Sequence, residues 1–283
     1  MAAPLYEAMR VFAKKEISSF HMPGHKKGAG IKRLDGRHAF LIDTTELVPT
    51  DNLHFPTGCI AKAQEAASRA VGAKETFFSV NGSTAAMETA IFSVCHRGDT
   101  IIADRNAHAC VISAAILLDL DVAFYQNRFL KDLEIPAPAL CSDIIDAMDK
   151  NPQAKVVVVT SPNYYGLCAD IQSISNEAHH RGLLLIVDEA HGAHFPYCSI
   201  LPDSAVALGA DLVAQSAHKT LSAPTQSAFL HRCSDRVDSI RIRESLHLFL
   251  SSSPSYILMA YMDLARDWAE KHAFYRFGLL PIC

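Results

Sequence analysis

No Cys-x-x-Cys pair occurs among the eight cysteines of this 283-residue chain, which stand apart at positions 59, 95, 110, 141, 168, 198, 233 and 283. That scatter excludes a zinc ribbon and a disulfide scaffold, and it fits a reducing cytoplasm. Basic residues are not in excess: 26 Lys+Arg stand against 30 Asp+Glu, a formal charge of -4. No overall field therefore draws the molecule to nucleic acid or anionic lipid. No apolar run approaches the length that spans a bilayer, and Met1 to Glu7 lacks a basic segment followed by an apolar one. A soluble, untargeted cytoplasmic protein is expected, with no membrane and no nucleic-acid partner. There is no internal repeat and no low-complexity tract, so small-molecule chemistry becomes the default.

What is present alternates between strand and helix. Pro4 to Glu16 reads as a short amphipathic helix, and His21-Met22-Pro23-Gly24-His25-Lys26-Lys27-Gly28 reads as a loop punctuated by glycine and proline. The stretch to Pro56 is mostly irregular. From Gly58 a helix over Ile60 to Val71 precedes the apolar run Thr76 to Val80, and a further helix follows Asn81-Gly82-Ser83-Thr84. Short apolar runs recur at 100–103, 122–125, 156–159, 183–187, 212–214 and 228–230. Near-continuous Val/Ile/Leu runs suit strands covered on both faces, which predicts an α/β fold with a mainly parallel central sheet flanked by helices. Helices are expected over 236–248 and 255–272. The organisation expected is an N-terminal helix and irregular segment (1–57), a large domain (58–247) and the start of a smaller C-terminal domain (248–283).

Three stretches carry chemistry. Val187-Asp188-Glu189-Ala190-His191-Gly192 places an acid at the carboxyl end of an apolar strand, where ligands collect in open parallel sheets; a helix cap is the plain alternative. In Asp211-Leu212-Val213-Ala214-Gln215-Ser216-Ala217-His218-Lys219-Thr220, a lysine follows an apolar strand inside a Ser/His/Thr-rich turn. Desolvation there lowers a lysine pKa, as an imine-forming amine requires; an exposed loop lysine is the alternative. Val80-Asn81-Gly82-Ser83-Thr84 runs from a strand through a glycine turn into a helix whose free N–H groups and hydroxyls suit a phosphate, although Gly-Ser-Thr is also a common capping sequence. No lysine follows at Walker spacing. Together the three supply a phosphate cradle, an acid for a ring nitrogen and a lysine for an aldehyde, which is what pyridoxal 5'-phosphate (PLP) needs.

The chain resembles the Orn/Lys/Arg decarboxylases of the aspartate-aminotransferase fold (PLP-dependent fold type I). The matching text is Phe20 to Gly28, Asp43-Thr44-Thr45-Glu46-Leu47, Phe77 to Thr84, Asp104-Arg105-Asn106-Ala107-His108, Ser161-Pro162-Asn163-Tyr164-Tyr165-Gly166, Asp188 to Gly192 and Ser216 to Leu221, extended by Ser253-Pro254-Ser255-Tyr256. The resemblance implies that Ser83 and Thr84 bind the cofactor phosphate, helped by Ser216 and His218. His108 stacks on the ring, Asp188 pairs with the pyridine nitrogen, and Lys219 forms the Schiff base. His191 contacts the cofactor near its phenolic oxygen or the imine, with a histidine satisfied in its own turn as the alternative. A metal pair at His191 and His194 lacks a third ligand, so no metal is expected. The activity implied is decarboxylation of arginine, lysine or ornithine to the amine and carbon dioxide. The family also implies at least a homodimer, with Ser251, in Leu250-Ser251-Ser252-Ser253-Pro254, reaching the partner's phosphate site. Capping of the next helix is the alternative for these serines.

Two departures stand beside the resemblance. The residues from Ala273 onward match no family text, and most of the family's smaller C-terminal domain is not there, so a truncated product is expected. Ala85-Ala86-Met87 follows the phosphate loop where many members place a small residue and then Asn. The rival readings are another fold type I reaction (aminotransferase, α-oxoamine synthase or carbon–sulfur lyase) and a non-catalytic remnant that binds PLP.

Overall fold

The computed structural model of the chain describes residues 45, 46 and 50–277, with side chains as far as residue 272. The helix expected from Pro4, the loop His21 to Gly28 and the Asp43-Thr44 part of the family text lie outside the described residues.

The described elements in order are α1 (Cys59–Val71), β1 (Glu75–Ser79), α2 (Gly82–Val94), β2 (Thr100–Asp104), α3 (Ala109–Leu118), β3 (Asp121–Tyr125), the short strands β4 (Phe129–Leu130) and β5 (Ile135–Pro136), α4 (Cys141–Lys150), β6 (Val156–Thr160), α5 (Ile171–His180), β7 (Leu184–Asp188), β8 (Leu212–Ser216), the single turn α6 (Ala217–Thr220), β9 (Ala228–Arg232), α7 (Ser239–Phe249) and α8 (Tyr256–Phe277). Among the described residues, seven strands form one sheet in the order β1-β9-β8-β7-β6-β2-β3. Strands β8, β7, β6, β2 and β3 are parallel, and β9 runs against both of its neighbours, β8 and β1. The expected α/β architecture with a mainly parallel sheet is the one observed.

The apolar runs are strands because helices cover both faces of the sheet. Alternate residues serve opposite cores, as the two-residue period of a strand demands. Val156, Val158, Ile186 and Leu212 face one cluster, which α1, α2, α3, α7 and α8 close. Val157, Val159, Leu185, Val187 and Val213 face the other, closed by α4 and α5. Each fully buried aliphatic side chain contributes roughly 1.5–3 kcal/mol. β3 departs from the expectation of burial on both faces: it is the sheet edge, and Asp121 and Phe124 are exposed.

The C-terminal helices start where side chains cap them. Asp238 accepts the Ile240 N–H at 2.9 Å, so α7 begins at Ser239 rather than 236. Ser255 Oγ accepts the Leu258 N–H at 3.3 Å at the head of α8, which runs on past 272 to Phe277. α8 shares the main core through Tyr256, Met259, Met262, Ala265 and Ala269.

Candidate active site

Three parallel strands end on polar residues side by side: β2 on Asp104, β6 on Thr160 and β7 on Asp188, with Thr160 and Asp188 in register. This carboxyl edge opens on a cavity of about 180 Å³ whose walls include Asp104, His108, Asn163, Asp188, His191 and Lys219. In open parallel sheets ligands bind at that edge.

Asp188 is buried, and its Oδ1 accepts the Ala190 N–H at 3.1 Å. Burial raises its pKa, opposed by that N–H and by the nearby Lys219. Lys219 sits on α6, directly after β8, and its Nζ lies 2.9 Å from His191 Nε2. Desolvation lowers the Lys219 pKa, with Asp188 opposing. Burial and the neighbouring ammonium lower that of His191, while its bond to the Asn163 backbone opposes. The lysine thus faces a neutral imidazole that accepts one of its hydrogens, the condition for an amine that must give up a proton. His108 caps α3: its Nδ1 accepts the Cys110 N–H at 3.2 Å, which leaves the rest of the ring on the cavity wall.

The predicted phosphate residues meet at one place. Ser216, buried at the end of β8, donates to Ser83 Oγ at 2.7 Å across from the first turn of α2. Gly82 takes φ +77°, a left-handed conformation that glycine adopts without strain, and its N–H reaches the Gln226 carbonyl at 2.8 Å. Thr84 is exposed on the same turn. His218 is half-buried, and its Nδ1 donates to the Ser227 carbonyl at 3.0 Å. Ser83, Thr84, Ser216 and His218 do not line the cavity itself. Ser216 and His218 adjoin Lys219 in the chain, and the Ser83–Ser216 bond joins the first turn of α2 to them. Ser251 is not brought to this chain's cavity: it is exposed, its hydroxyl accepts the Ser253 N–H at 3.1 Å, and its carbonyl accepts from His54 at 2.9 Å.

Several wall residues carry no role in the sequence reading. Asp104 ends an apolar strand as Asp188 does, so the same signal marks it. Its carboxylate holds the Asn106 N–H and the Asn127 amide, both at 2.8 Å. Asn127 follows an edge strand, and nothing in the sequence marks it. Asn163 folds the 163–167 turn by accepting the Tyr165 and Leu167 N–H groups at 3.0 Å, which sets Tyr164 and Tyr165 at the cavity wall. Asn127 Oδ1 and Thr160 Oγ1 are buried on this wall and make no hydrogen bond among the described residues.

Residues 3–276 match the model of the Orn/Lys/Arg decarboxylase major domain. The chain belongs to the Orn/Lys/Arg decarboxylase family. Among curated relatives, it is 42% identical to the uncharacterized protein YaaO of Bacillus subtilis, over 95% of this chain and 57% of that one. It is 37% identical to an arginine decarboxylase of the same organism, over 93% of this chain and 54% of the other. The chain therefore spans about half the length of these curated relatives. Lysine decarboxylase A from Pseudomonas aeruginosa superposes with a TM-score of 0.74 at 23% identity, covering 97% of this chain and 41% of that one. At that identity the likeness shows the fold, which is that of the PLP-dependent fold type I enzymes. Among the described residues no helix is long and apolar enough to cross a membrane.

Proposed function

We propose that the protein binds PLP at this cavity and decarboxylates a basic amino acid, arginine, lysine or ornithine, to the corresponding amine and carbon dioxide. One observation carries the reading: Lys219, partly desolvated and 2.9 Å from a neutral histidine, shares a small cavity with the buried carboxylate of Asp188. The residues fit the cofactor. The unpartnered polar atoms of Asn127 and Thr160 leave the wall with capacity for a polar ligand, and the Ser83–Ser216 hydroxyl pair stands at a helix N-terminus suited to a phosphate.

When bound, PLP supplies an electron sink for the pair left at the α-carbon as the carboxylate departs. The chain's own residues set the conditions. Ser83, Thr84, Ser216 and His218 hold the phosphate. Asp188 would face the ring nitrogen of PLP, and a charge-assisted bond in a dry site is among the stronger ones. His108 offers its ring face. His191 Nε2 stands within hydrogen-bond reach of the Lys219 amine, and desolvation lowers the Lys219 pKa, which favours the neutral amine that the cofactor aldehyde would need.

The working unit is at least a homodimer, in which the exposed hydroxyl of Ser251 serves the phosphate site of the neighbouring chain, and the protein acts in the cytoplasm. Incubating it with PLP and each basic amino acid, and measuring carbon dioxide and amine together, tests the reading. Equal yields of both from one substrate support it. An oxo-acid product without carbon dioxide identifies an aminotransferase instead, and PLP binding with no product identifies a non-catalytic binder.

A further inference from the structure

A buried chain of hydrogen bonds crosses the sheet beneath the site and ends on Glu189. Thr76 Oγ1 on β1 lies 2.8 Å from His231 Nδ1 on β9. His231 Nε2 lies 3.0 Å from Gln215 Oε1 on β8, and Gln215 Nε2 lies 2.6 Å from Glu189 Oε2. Ser204 Oγ donates to the same carboxylate oxygen at 2.6 Å, and the Ala205 N–H donates to the other at 2.7 Å. All of these side chains are buried.

Chemistry decides the polarity of this chain. Ionised Glu189 only accepts. Gln215 must therefore turn its NH₂ toward it, which leaves Oε1 to accept from His231 Nε2–H. Burial holds His231 neutral, its pKa pushed down to about 3, so its bare Nδ1 accepts from the Thr76 hydroxyl. A neutral amide at position 189 reverses every link: Gln215 flips, His231 carries its hydrogen on Nδ1, and Thr76 accepts.

The chain bears on the site through one peptide. The Glu189 N–H bonds the Ala214 carbonyl at 2.9 Å, and the next N–H, at Ala190, is the one that holds Asp188 Oδ1. Gly192 closes the same turn over the Glu189 side chain, where a Cβ would stand 2.6 Å from Glu189 Cγ. Anchoring that side chain pins the 188–192 turn. The titratable groups facing Glu189 are the thiols of Cys168 and Cys233, with Asp188 adjacent in the chain. Among the described residues no Lys or Arg pairs with it.

We propose that Glu189 is a positioning residue for Asp188: held from beneath by Gln215, Ser204 and the Ala205 N–H, it keeps the Ala190 N–H on the Asp188 carboxylate. The proposal rests on the PLP reading only for what Asp188 faces, and its test needs no cofactor. In the cofactor-free protein at pH 8.5, nitrogen NMR of labelled histidine is expected to find His231 as the Nε2–H form in the wild type and as the Nδ1–H form in Glu189→Gln. Carbon NMR of the Asp188 carboxyl is expected to show its titration midpoint unchanged in Glu189→Gln and raised by about half a unit or more in Glu189→Ala, as the Ala190 hydrogen bond is lost. Gln215→Met, which removes one donor and keeps the carboxylate, is expected to raise the midpoint in the same direction and serves if Glu189→Ala does not fold. An Asp188 midpoint at the wild-type value in whichever of Glu189→Ala and Gln215→Met folds, or a His231 tautomer unmoved by Glu189→Gln, overturns the proposal. Variants that show these shifts, beside a wild type that binds no PLP, sink the functional reading and leave this one standing.

Discussion

Lys219 stands one turn beyond β8 with His191 against its amine, and this pairing separates it from the other described lysines. Borohydride trapping of bound PLP followed by peptide mapping is expected to place the label on Lys219 and to find none in Lys219→Ala. A label on Lys62 instead removes the basis of the site. A second expectation at this scale concerns Glu189, whose carboxyl burial pushes up to about 7 from 4.5. The folded protein then keeps this proton to higher pH than the unfolded chain does. The sign follows: as pH rises from about 4.5 to about 7 the unfolded state releases the proton first, and the group's contribution to stability falls by about 3 kcal/mol at most. Urea unfolding at pH 5 and pH 8 is expected to show the wild type losing more stability than Glu189→Gln over that interval. Equal losses in the two proteins would show that Glu189 does not titrate there.

At the scale of elements, the start of α1 depends on a single anion. The Asp51 carboxylate accepts backbone N–H groups from Asn52, Thr57, Gly58, Ile60 and Ala61 at 2.8–3.2 Å, and its own carbonyl accepts the Tyr256 hydroxyl of α8 at 2.6 Å. Burial raises its pKa, and the N–H groups outweigh that and hold it below the usual value. Asp51 also takes φ 66°, which aspartate tolerates better than most residues. Asp51→Ala leaves several N–H groups without their acceptor and is expected to cost on the order of 3 kcal/mol in urea unfolding. A loss below about 1 kcal/mol would show that water replaces the carboxylate. The helix itself was legible from its 3.6-residue pattern over 60–71, whereas its cap was not. Asp51 reaches forward six to ten residues, beyond the reach of the local capping sequence.

For the whole molecule, the open question is what the single chain leaves to a neighbour. Ser251 is exposed and does not line this chain's cavity, while α3 and the edge strand β3 present Ile116, Leu117 and Phe124 to solvent. If Ser251 serves the neighbouring site, sedimentation is expected to give at least twice the 30.9 kDa of one chain. Mixing Ser251→Ala with Lys219→Ala should then form hybrid dimers in which one site carries both defects and the other neither, and activity lost in each parent returns. A monomer that binds PLP tightly sinks the shared site.

By itself the sequence determined the strands, the mainly parallel sheet and the three chemical stretches. Continuous aliphatic runs suit strands between two helical layers, and an acid or lysine that ends such a run falls at the edge where ligands collect. It also determined that Ser83 and Ser216, 133 positions apart, belong to one candidate site, through the resemblance to a family whose model spans 3–276. Only the tertiary structure decided which nitrogen Lys219 faces, that Asp104 and Asn127 share the cavity wall, and that Glu189 hangs from a chain running through β8 and β9 to β1. Those contacts join residues of different strands across the sheet, and strand order is set by how the helical layers pack together. A reading along one chain has no access to that packing, because period and composition are local while the order of strands is not.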